Sequence, residues 1–241
     1  MTNRPPIGEE EGKSERVEAM FDAIAPRYDL LNRVLSAGID QRWRTKAVRM
    51  LEDDRPTRVL DVATGTADLA IKAEQLLHPR EIIGVDLSDE MLDLGREKLS
   101  DDGLSGRITL LRADAQRLPF DDDAFDAALV AFGVRNFEDL GQGLREIGRV
   151  LRPGGALVVL EFSQPRAFPI KQLYRFYSQH VLPRIGGLVS RHDGAYQYLP
   201  DSVAAFPDGA DFLARMEAAG YHTLTWRPLT FGIASLYRGY V

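Results

Sequence analysis

The sequence predicts an α/β fold: a doubly wound, mostly parallel sheet of seven strands, with a helical cap at the amino terminus and a helical insertion before the last strands. Three observations predict it. From Arg58 onward, short apolar runs alternate with stretches of helical periodicity, the order that βαβ units impose. The run Val59 to Val62 passes directly into a loop of small residues, Ala63-Thr64-Gly65-Thr66-Ala67, and a lone carboxylate, Asp86, ends the next apolar run about 20 residues on. Before Arg58 only helical spacing is found.

In chain order, Val17, Met20, Phe21 and Ile24 recur at helical spacing after Ser14, and Pro26 is expected to close that helix. Leu30, Leu31, Val34 and Leu35 suggest a second short helix. Asp40 is placed to cap a third that carries Trp43, Ala47, Val48 and Leu51. Strands are expected over 59–62, 82–85, 108–111, 127–131 and 156–160, with helices through 69–77, 88–99 and around Leu144 and Ile147, and a turn at Pro153-Gly154-Gly155. From Phe168 to Val189 the alternation breaks into helical spacing interrupted at Pro183, which reads as an inserted lid over 165–200. A last helix over 210–219 ends at Gly220, and strands over 223–226 and 231–240, joined around Pro228, form an expected antiparallel pair. Residues 1–13, rich in Pro, Gly and Glu, read as a disordered tail, which leaves 14–241 as a single domain with its cap at 14–52.

Composition removes whole classes of function. With 36 acidic against 30 basic residues, a net charge of -6 offers no field for a phosphate backbone, so nucleic acid is not an expected partner. The absence of cysteine excludes disulfides, thiolate nucleophiles and cysteine-ligated zinc, and fits the cytoplasm. The four histidines, His78, His180, His192 and His222, are too scattered for a metal site, although His192 beside Asp193 is a conceivable base. Charges interrupt every apolar run long enough to span a bilayer.

The loop after Val62 has the chemistry of a nucleoside site. Small residues admit a ligand close to the backbone, and the following helix start supplies free N–H donors. Asp86 can accept both hydroxyls of a ribose. At the end of the third strand Asp114 can accept from an adenine amino group, with the Ala115 backbone against the ring. A dinucleotide dehydrogenase is the competing reading, but Gly65-Thr66-Ala67-Asp68-Leu69-Ala70 lacks the second and third glycines of that fingerprint. The acidic run Asp121 to Asp123 reads as a solvated turn.

Taken together, the Asp61 loop, Asp86, the Asp114-Ala115 step and Arg149-Val150-Leu151-Arg152-Pro153-Gly154-Gly155 resemble the Rossmann-like class I S-adenosylmethionine-dependent methyltransferases. More narrowly, Tyr28-Asp29-Leu30-Leu31-Asn32 with Leu35-Ser36 and Trp43, and Gly155 through Glu161-Phe162-Ser163, resemble two signatures of the menaquinone and ubiquinone biosynthesis C-methyltransferases. Phe132-Gly133-Val134-Arg135-Asn136 and the ending from Thr230 to Tyr240 are similar to that family too, although its first signature usually has histidine at Asp40 and methionine at Leu31. The resemblance implies S-adenosyl-L-methionine as cofactor and Asp61, Gly65, Thr66, Asp86, Asp114 and Ala115 as its contacts. It implies C-methylation of demethylmenaquinol, the last step of menaquinone biosynthesis. An enzyme that also methylates the ubiquinol precursor, a NAD-dependent oxidoreductase and a noncatalytic binding module are the alternatives.

Methyl transfer to a ring carbon needs a partly deprotonated neighbouring hydroxyl, hence a reduced quinol and groups that favour proton loss. Arg135 can stabilise the developing phenolate and Asn136 can orient the ring, with Tyr28, next to Asp29, as a third candidate from the cap. No metal is required. The inserted lid, with Tyr174, Phe176, Tyr177, Leu182 and Ile185 among Lys171, Arg175 and Arg184, suits either an isoprenoid tail or core packing. Peripheral contact with the inner membrane face and a homo-oligomer are the further partners left open.

Overall fold

The computed structural model describes residues 12–36, 38–176 and 193–241. Two helices, α1 (Lys13–Leu35) and α2 (Ile39–Arg49), precede β1 (Arg58–Val62), α3 (Asp68–Leu77), β2 (Glu81–Asp86), α4 (Asp89–Asp101) and β3 (Ile108–Arg112). Then come β4 (Phe125–Ala131), α5 (Leu140–Val150) and β5 (Leu151–Phe162). The chain ends with α6 (Ile170–Phe176), α7 (Asp193–Ala205), α8 (Ala210–Ala218), β6 (His222–Leu229) and β7 (Ala234–Tyr240). The strands form one seven-stranded sheet in the order β3-β2-β1-β4-β5-β7-β6. The first five are parallel, and β7 runs antiparallel between β5 and β6.

The near-continuous apolar runs are required because the sheet is covered on both faces. In β5, Ala156, Val158 and Leu160 join a core with Trp43 and Leu51 of the amino-terminal region and with α3 and α4. The alternate residues Leu157 and Val159 join a second core with Leu144 and Ile147 of α5 and Phe212 and Met216 of α8. Trp43 anchors the preface: it packs edge-on to Phe162, lies 6.3 Å from the Phe132 ring centroid, and its indole N–H donates to Thr230 Oγ1 at 2.9 Å. Gly84 in β2 is equally constrained, since a Cβ there would lie 2.7 Å from Leu110 Cδ2 and 2.8 Å from Thr64 Oγ1.

Four local expectations are corrected. Pro26 does not close the first helix; it lies inside a 23-residue α1, where burial of Val17 and Ala25 outweighs one missing hydrogen bond. Asp40 is not a cap, because Gly38 (φ 74) occupies that position and Asp40 is buried in the first turn of α2, accepting from Ser36 Oγ at 2.7 Å. Pro153-Gly154-Gly155 falls within the span of β5 as an irregularity, with Gly154 at φ 79 and the β4 pairing stepping from Phe125↔Leu151 to Ala127↔Ala156. Pro228 lies in β6 opposite Ser235, tolerated because β6 is an edge strand, and the connection is a 3-10 turn, Thr230–Gly232, that takes Phe231 out of the strand.

The expected tail falls mostly on residues 1–11, outside the described residues, while Lys13 already belongs to α1. The middle of the expected lid, with Pro183, His180 and His192, also lies outside them; helices α6 and α7 flank it. Among the described residues no helix is long and apolar enough to cross a membrane. Trp43→Phe, which keeps the ring but loses the bond to Thr230, is expected to lower stability by about 1 kcal/mol, and Trp43→Ala by about 3–5 kcal/mol, read from urea midpoints.

Candidate active site

Strand order reverses at β1: the chain leaves it toward β2 and β3 and returns to β4 on its other side. The loops leaving the carboxyl ends of β1 and β4 therefore diverge, and a crevice opens between them. A cleft of about 710 Å³ lies there. Ala63 and Gly65 after β1, Asp86 to Ser88 after β2, Ala113 to Gln116 after β3, and Phe132, Gly133, Asn136 and Phe137 after β4 line it. The two central loops are in close contact: a Cβ on Gly133 would meet the Ala63 Cβ at 2.5 Å.

Asp86 is held by backbone. Its Oδ2 accepts from Gly65 N at 2.8 Å and its Oδ1 from Ser88 N at 3.1 Å, which ties the loop after β1 to the end of β2. Each oxygen keeps a second lone pair, and the carboxylate lines the cleft as an acceptor for paired hydroxyls. Burial pushes its pKa up against those amide donors. Ser88 caps α4 by accepting from Met91 N at 3.1 Å. On the next loop, Asp114 Oδ1 accepts from Gln116 N at 2.9 Å, and Asp114, Ala115 and Gln116 form one wall.

Helix α1 is the cover. Val17, Glu18 and Phe21 face the cleft. Polar contacts fasten it at three points: Lys13 Nζ donates to Phe137 O at 2.6 Å and Arg135 O at 3.2 Å, Glu18 pairs with Arg112 at 2.7 Å, and Asp22 accepts from Ser88 Oγ at 2.5 Å.

A buried polar chain stands behind the wall after β4. Arg135 Nη1 donates to Glu161 Oε1 at 2.7 Å and to Phe132 O, and the guanidinium sits over the Phe162 ring at 5.5 Å. Glu161, 0% exposed at the end of β5, also accepts from Phe162 N at 2.8 Å; burial pushes its carboxyl up, against the Arg135 charge. Tyr198 of α7 donates its hydroxyl to Asn136 Oδ1 at 3.0 Å, so the amide that lines the cleft is oriented from outside it.

A smaller chamber of about 290 Å³ adjoins the cleft and shares Ala63, Gly65 and Ala131 with it. Arg44, Asp61, Thr64, Thr66 and Asp68 bring polar groups to its wall. Asp61 Oδ2 accepts from Thr64 Oγ1 at 2.6 Å, whereas its Oδ1 meets no donor at hydrogen-bond geometry among the described residues. Burial raises its pKa from 3.8 to about 7, against the Thr64 hydroxyl, the Arg44 charge and the Ala70 amide. Arg44 Nε likewise makes no hydrogen bond among the described residues; it lies 3.7 Å from Asp40 Oδ2, and the guanidinium stacks over Phe132 at 5.3 Å. Lys98 Nζ bridges Asp68 Oδ1 at 2.7 Å and Thr66 Oγ1 at 3.0 Å.

The sequence-derived candidates thus fall into three groups. Gly65, Asp86, Asp114, Ala115 and Asn136 line the cleft together. Asp61 and Thr66 face the side chamber with Gly65 between the two spaces. Arg135 stands behind Asn136, ion-paired with Glu161. The Tyr28 and Asp29 side chains lie outside the described residues. Sequence reasoning missed Arg44, Glu161 and Tyr198. Arg44 follows Trp43 in a helix and reads as a solvated charge, and Glu161 reads as the polar end of an apolar run. Only the adjacent signature Glu161-Phe162-Ser163 carried a signal.

Gly133→Ala is expected to force the two central loops apart and lower stability by about 1–3 kcal/mol, with ligand affinity falling alongside it in calorimetry. Asp61→Asn tests the raised carboxyl. With a folded pKa of about 7 against 3.8, the native state retains a proton that the unfolded chain has released, so wild-type stability falls as pH rises through that window. The variant is expected to show a flatter profile in urea unfolding over the same range.

Comparison with known proteins places this architecture. The model of the ubiE/COQ5 methyltransferase family matches residues 9–241. The chain is 51% identical over 237 residues to a demethylmenaquinone methyltransferase of Deinococcus radiodurans, covering 98% of this chain and 97% of that one. It is 49% identical to one of Bacteroides fragilis (96% and 95%), and 50% identical to a ubiquinone/menaquinone biosynthesis C-methyltransferase of Geobacter sulfurreducens (94% and 89%). Among solved structures, a SAM-dependent methyltransferase of Thermotoga maritima superposes with a TM-score of 0.64 at 20% identity (92% and 98% covered). The [4+2]-cyclase SpnF does so with 0.66 at 24% (91% and 77%), so the fold by itself does not fix the reaction. With its sheet order, its cleft at the strand reversal and a family model spanning nearly all its length, the chain belongs to the ubiE/COQ5 methyltransferase family.

Proposed function

We propose that the protein transfers a methyl group from S-adenosyl-L-methionine to a ring carbon of demethylmenaquinol. The observation that carries this reading is the pairing of Asp86, a partly buried acceptor fixed by two backbone amides, with an adjoining chamber that holds two buried polar atoms, one of Arg44 and one of Asp61, without hydrogen bonds among the described residues. The fit is to a nucleoside with a zwitterionic arm. A pyrophosphate would have to approach Asp61, Asp68 and Asp86 together, which disfavours a nicotinamide dinucleotide.

The cofactor supplies an electrophilic methyl group on a sulfonium, and the residues of the chain do the rest. Asp86 takes the ribose hydroxyls, Asp114 and Ala115 take the adenine edge, and Gly65 and Thr66 supply the loop between the two spaces. Val17 and Phe21 of α1 exclude water, which strengthens every polar interaction inside. Asn136 orients the quinol hydroxyl next to the reacting carbon, itself oriented by Tyr198. Arg135 contributes positive charge from behind that amide and so favours the phenolate, with Glu161 fixing its position. Tyr28 remains a candidate from the cover. The exposed Phe168, Leu173 and Phe176 give the isoprenoid tail, or the bilayer that holds it, an apolar surface beside the insertion.

The names of the relatives leave a second reading, a bifunctional enzyme that also methylates the demethylated ubiquinol precursor. Labelled S-adenosylmethionine offered with each reduced quinone separates them: label in the naphthoquinol alone supports the first, label in both the second, and label in neither despite cofactor binding sinks both. Asn136→Ala is expected to lower kcat by about 10²–10³-fold with little change in cofactor affinity. Asp86→Ala is expected to raise the Kd for S-adenosylhomocysteine at least about tenfold, read by calorimetry.

A further inference from the structure

We propose that Lys13 is a positioning residue for methyl transfer: by holding the main chain on both sides of Asn136, it makes the helix that covers the cofactor cleft also set the geometry of the acceptor site. The inference rests on the function proposed above and adds to it a residue that no loop of the sheet supplies.

Three observations carry it. First, Lys13 Nζ donates to Arg135 O at 3.2 Å and to Phe137 O at 2.6 Å, the carbonyls immediately before and after Asn136. The 3-10 turn Val134–Asn136 is a single turn, closed by Asn136 N on Gly133 O at 2.9 Å and Phe137 N on Val134 O at 3.3 Å. So short a helix has no cooperative length to stiffen it, and contacts from outside decide how it sits. Second, two helices converge on the same residue. Tyr198 of α7 holds the Asn136 side chain at Oδ1, 3.0 Å away, while Lys13 holds the peptide groups that carry it. Arg16, three residues further along α1, acts by its charge on Tyr198, whose hydroxyl burial pushes up. Third, α1 reaches the cofactor side at its next anchor. Asp22 accepts from Ser88 Oγ, and the Ser88 amide donates to Asp86. About 14 Å of helix rise separates Lys13 from Asp22, with Val17, Glu18 and Phe21 lining the cleft between them and Pro26 lying beyond. One unbroken stretch of helix thus runs from the loop that fixes Asp86 to the turn that carries Asn136.

The lysine is suited to this use. Burial pushes its pKa down, against the Glu138 charge, and the two carbonyls offset that desolvation with charge-assisted bonds. A residue that merely fastens the cover acts on cofactor affinity, whereas one that aims Asn136 acts on the rate with both substrates bound, because a misplacement of about 1 Å costs on the order of 100-fold.

The test uses the whole protein, with methyl transfer from labelled S-adenosylmethionine to reduced demethylmenaquinone at saturation of both, and calorimetry with S-adenosylhomocysteine alongside. Lys13→Met is expected to lower kcat about 10–100-fold while the Kd for S-adenosylhomocysteine changes less than about threefold. Lys13→Arg, which keeps a cationic donor, is expected to recover part of kcat. In an Asn136→Ala background, Lys13→Met is expected to cost less than about twofold more, because the group it aims is gone. An unchanged kcat with weakened S-adenosylhomocysteine binding makes Lys13 a fastening only and overturns the inference. Losses that multiply in the double variant overturn it too, since a general structural defect would act independently of Asn136. Absence of transfer by the wild type overturns the functional reading itself.

Discussion

The reversal of strand order at β1 is the constraint on which the rest of the molecule depends. Because β1, the first strand in the chain, lies inside the sheet, the chain builds outward on one side through β2 and β3 and then crosses to β4 on the other. Right-handed crossovers then put helices on both faces, which forces both faces of each central strand to be apolar and leaves the strand ends as the only places where polar groups can gather. Asp61, Asp86, Asp114 and Glu161 all lie at or just past carboxyl ends of parallel strands. The burial of Asp61 and Glu161 follows from that position, and so do the raised pKa values of Asp61, Asp86 and Glu161.

The sheet supplies a generic crevice, and the helices outside it make that crevice particular. From α2 come Trp43, which locks the preface onto the sheet, and Arg44, which reaches the chamber next to Asp61. From α7 comes Tyr198, which sets the direction of the Asn136 amide. From α1 comes the wall of Val17, Glu18 and Phe21. A cyclase and a methyltransferase of low identity share this fold, so chemical identity has to reside in such additions.

Much of this was legible in the sequence because it is local. Apolar runs of β-strand length, the small-residue loop after Val62 and Asp86 at the end of its strand are each set by neighbours within a few positions, and all of them are found where periodicity put them. The prolines misled for a physical reason. Pro26 and Pro228 report a local preference, and tertiary packing in α1 and an edge position in β6 override it. The contacts that complete the site are separated by 62 residues for Tyr198 and Asn136 and by 26 for Arg135 and Glu161. No period in the chain encodes such a distance, and a buried arginine looks the same in sequence as a solvated one.

The way α1 is fastened bears on how the protein passes through its cycle. The cover must exclude water while the methyl group moves, and must then release a spent ligand before the next can enter. Its fastenings over the cleft are a lysine on two carbonyls, a glutamate on an arginine and an aspartate on a buried serine. Between these contacts α1 also buries Val17 and Ala25, so lifting it exposes apolar surface as well as breaking polar contacts. The same helix is thereby wall of the cleft and part of the core, which ties the closure of the site to the packing of the amino-terminal region.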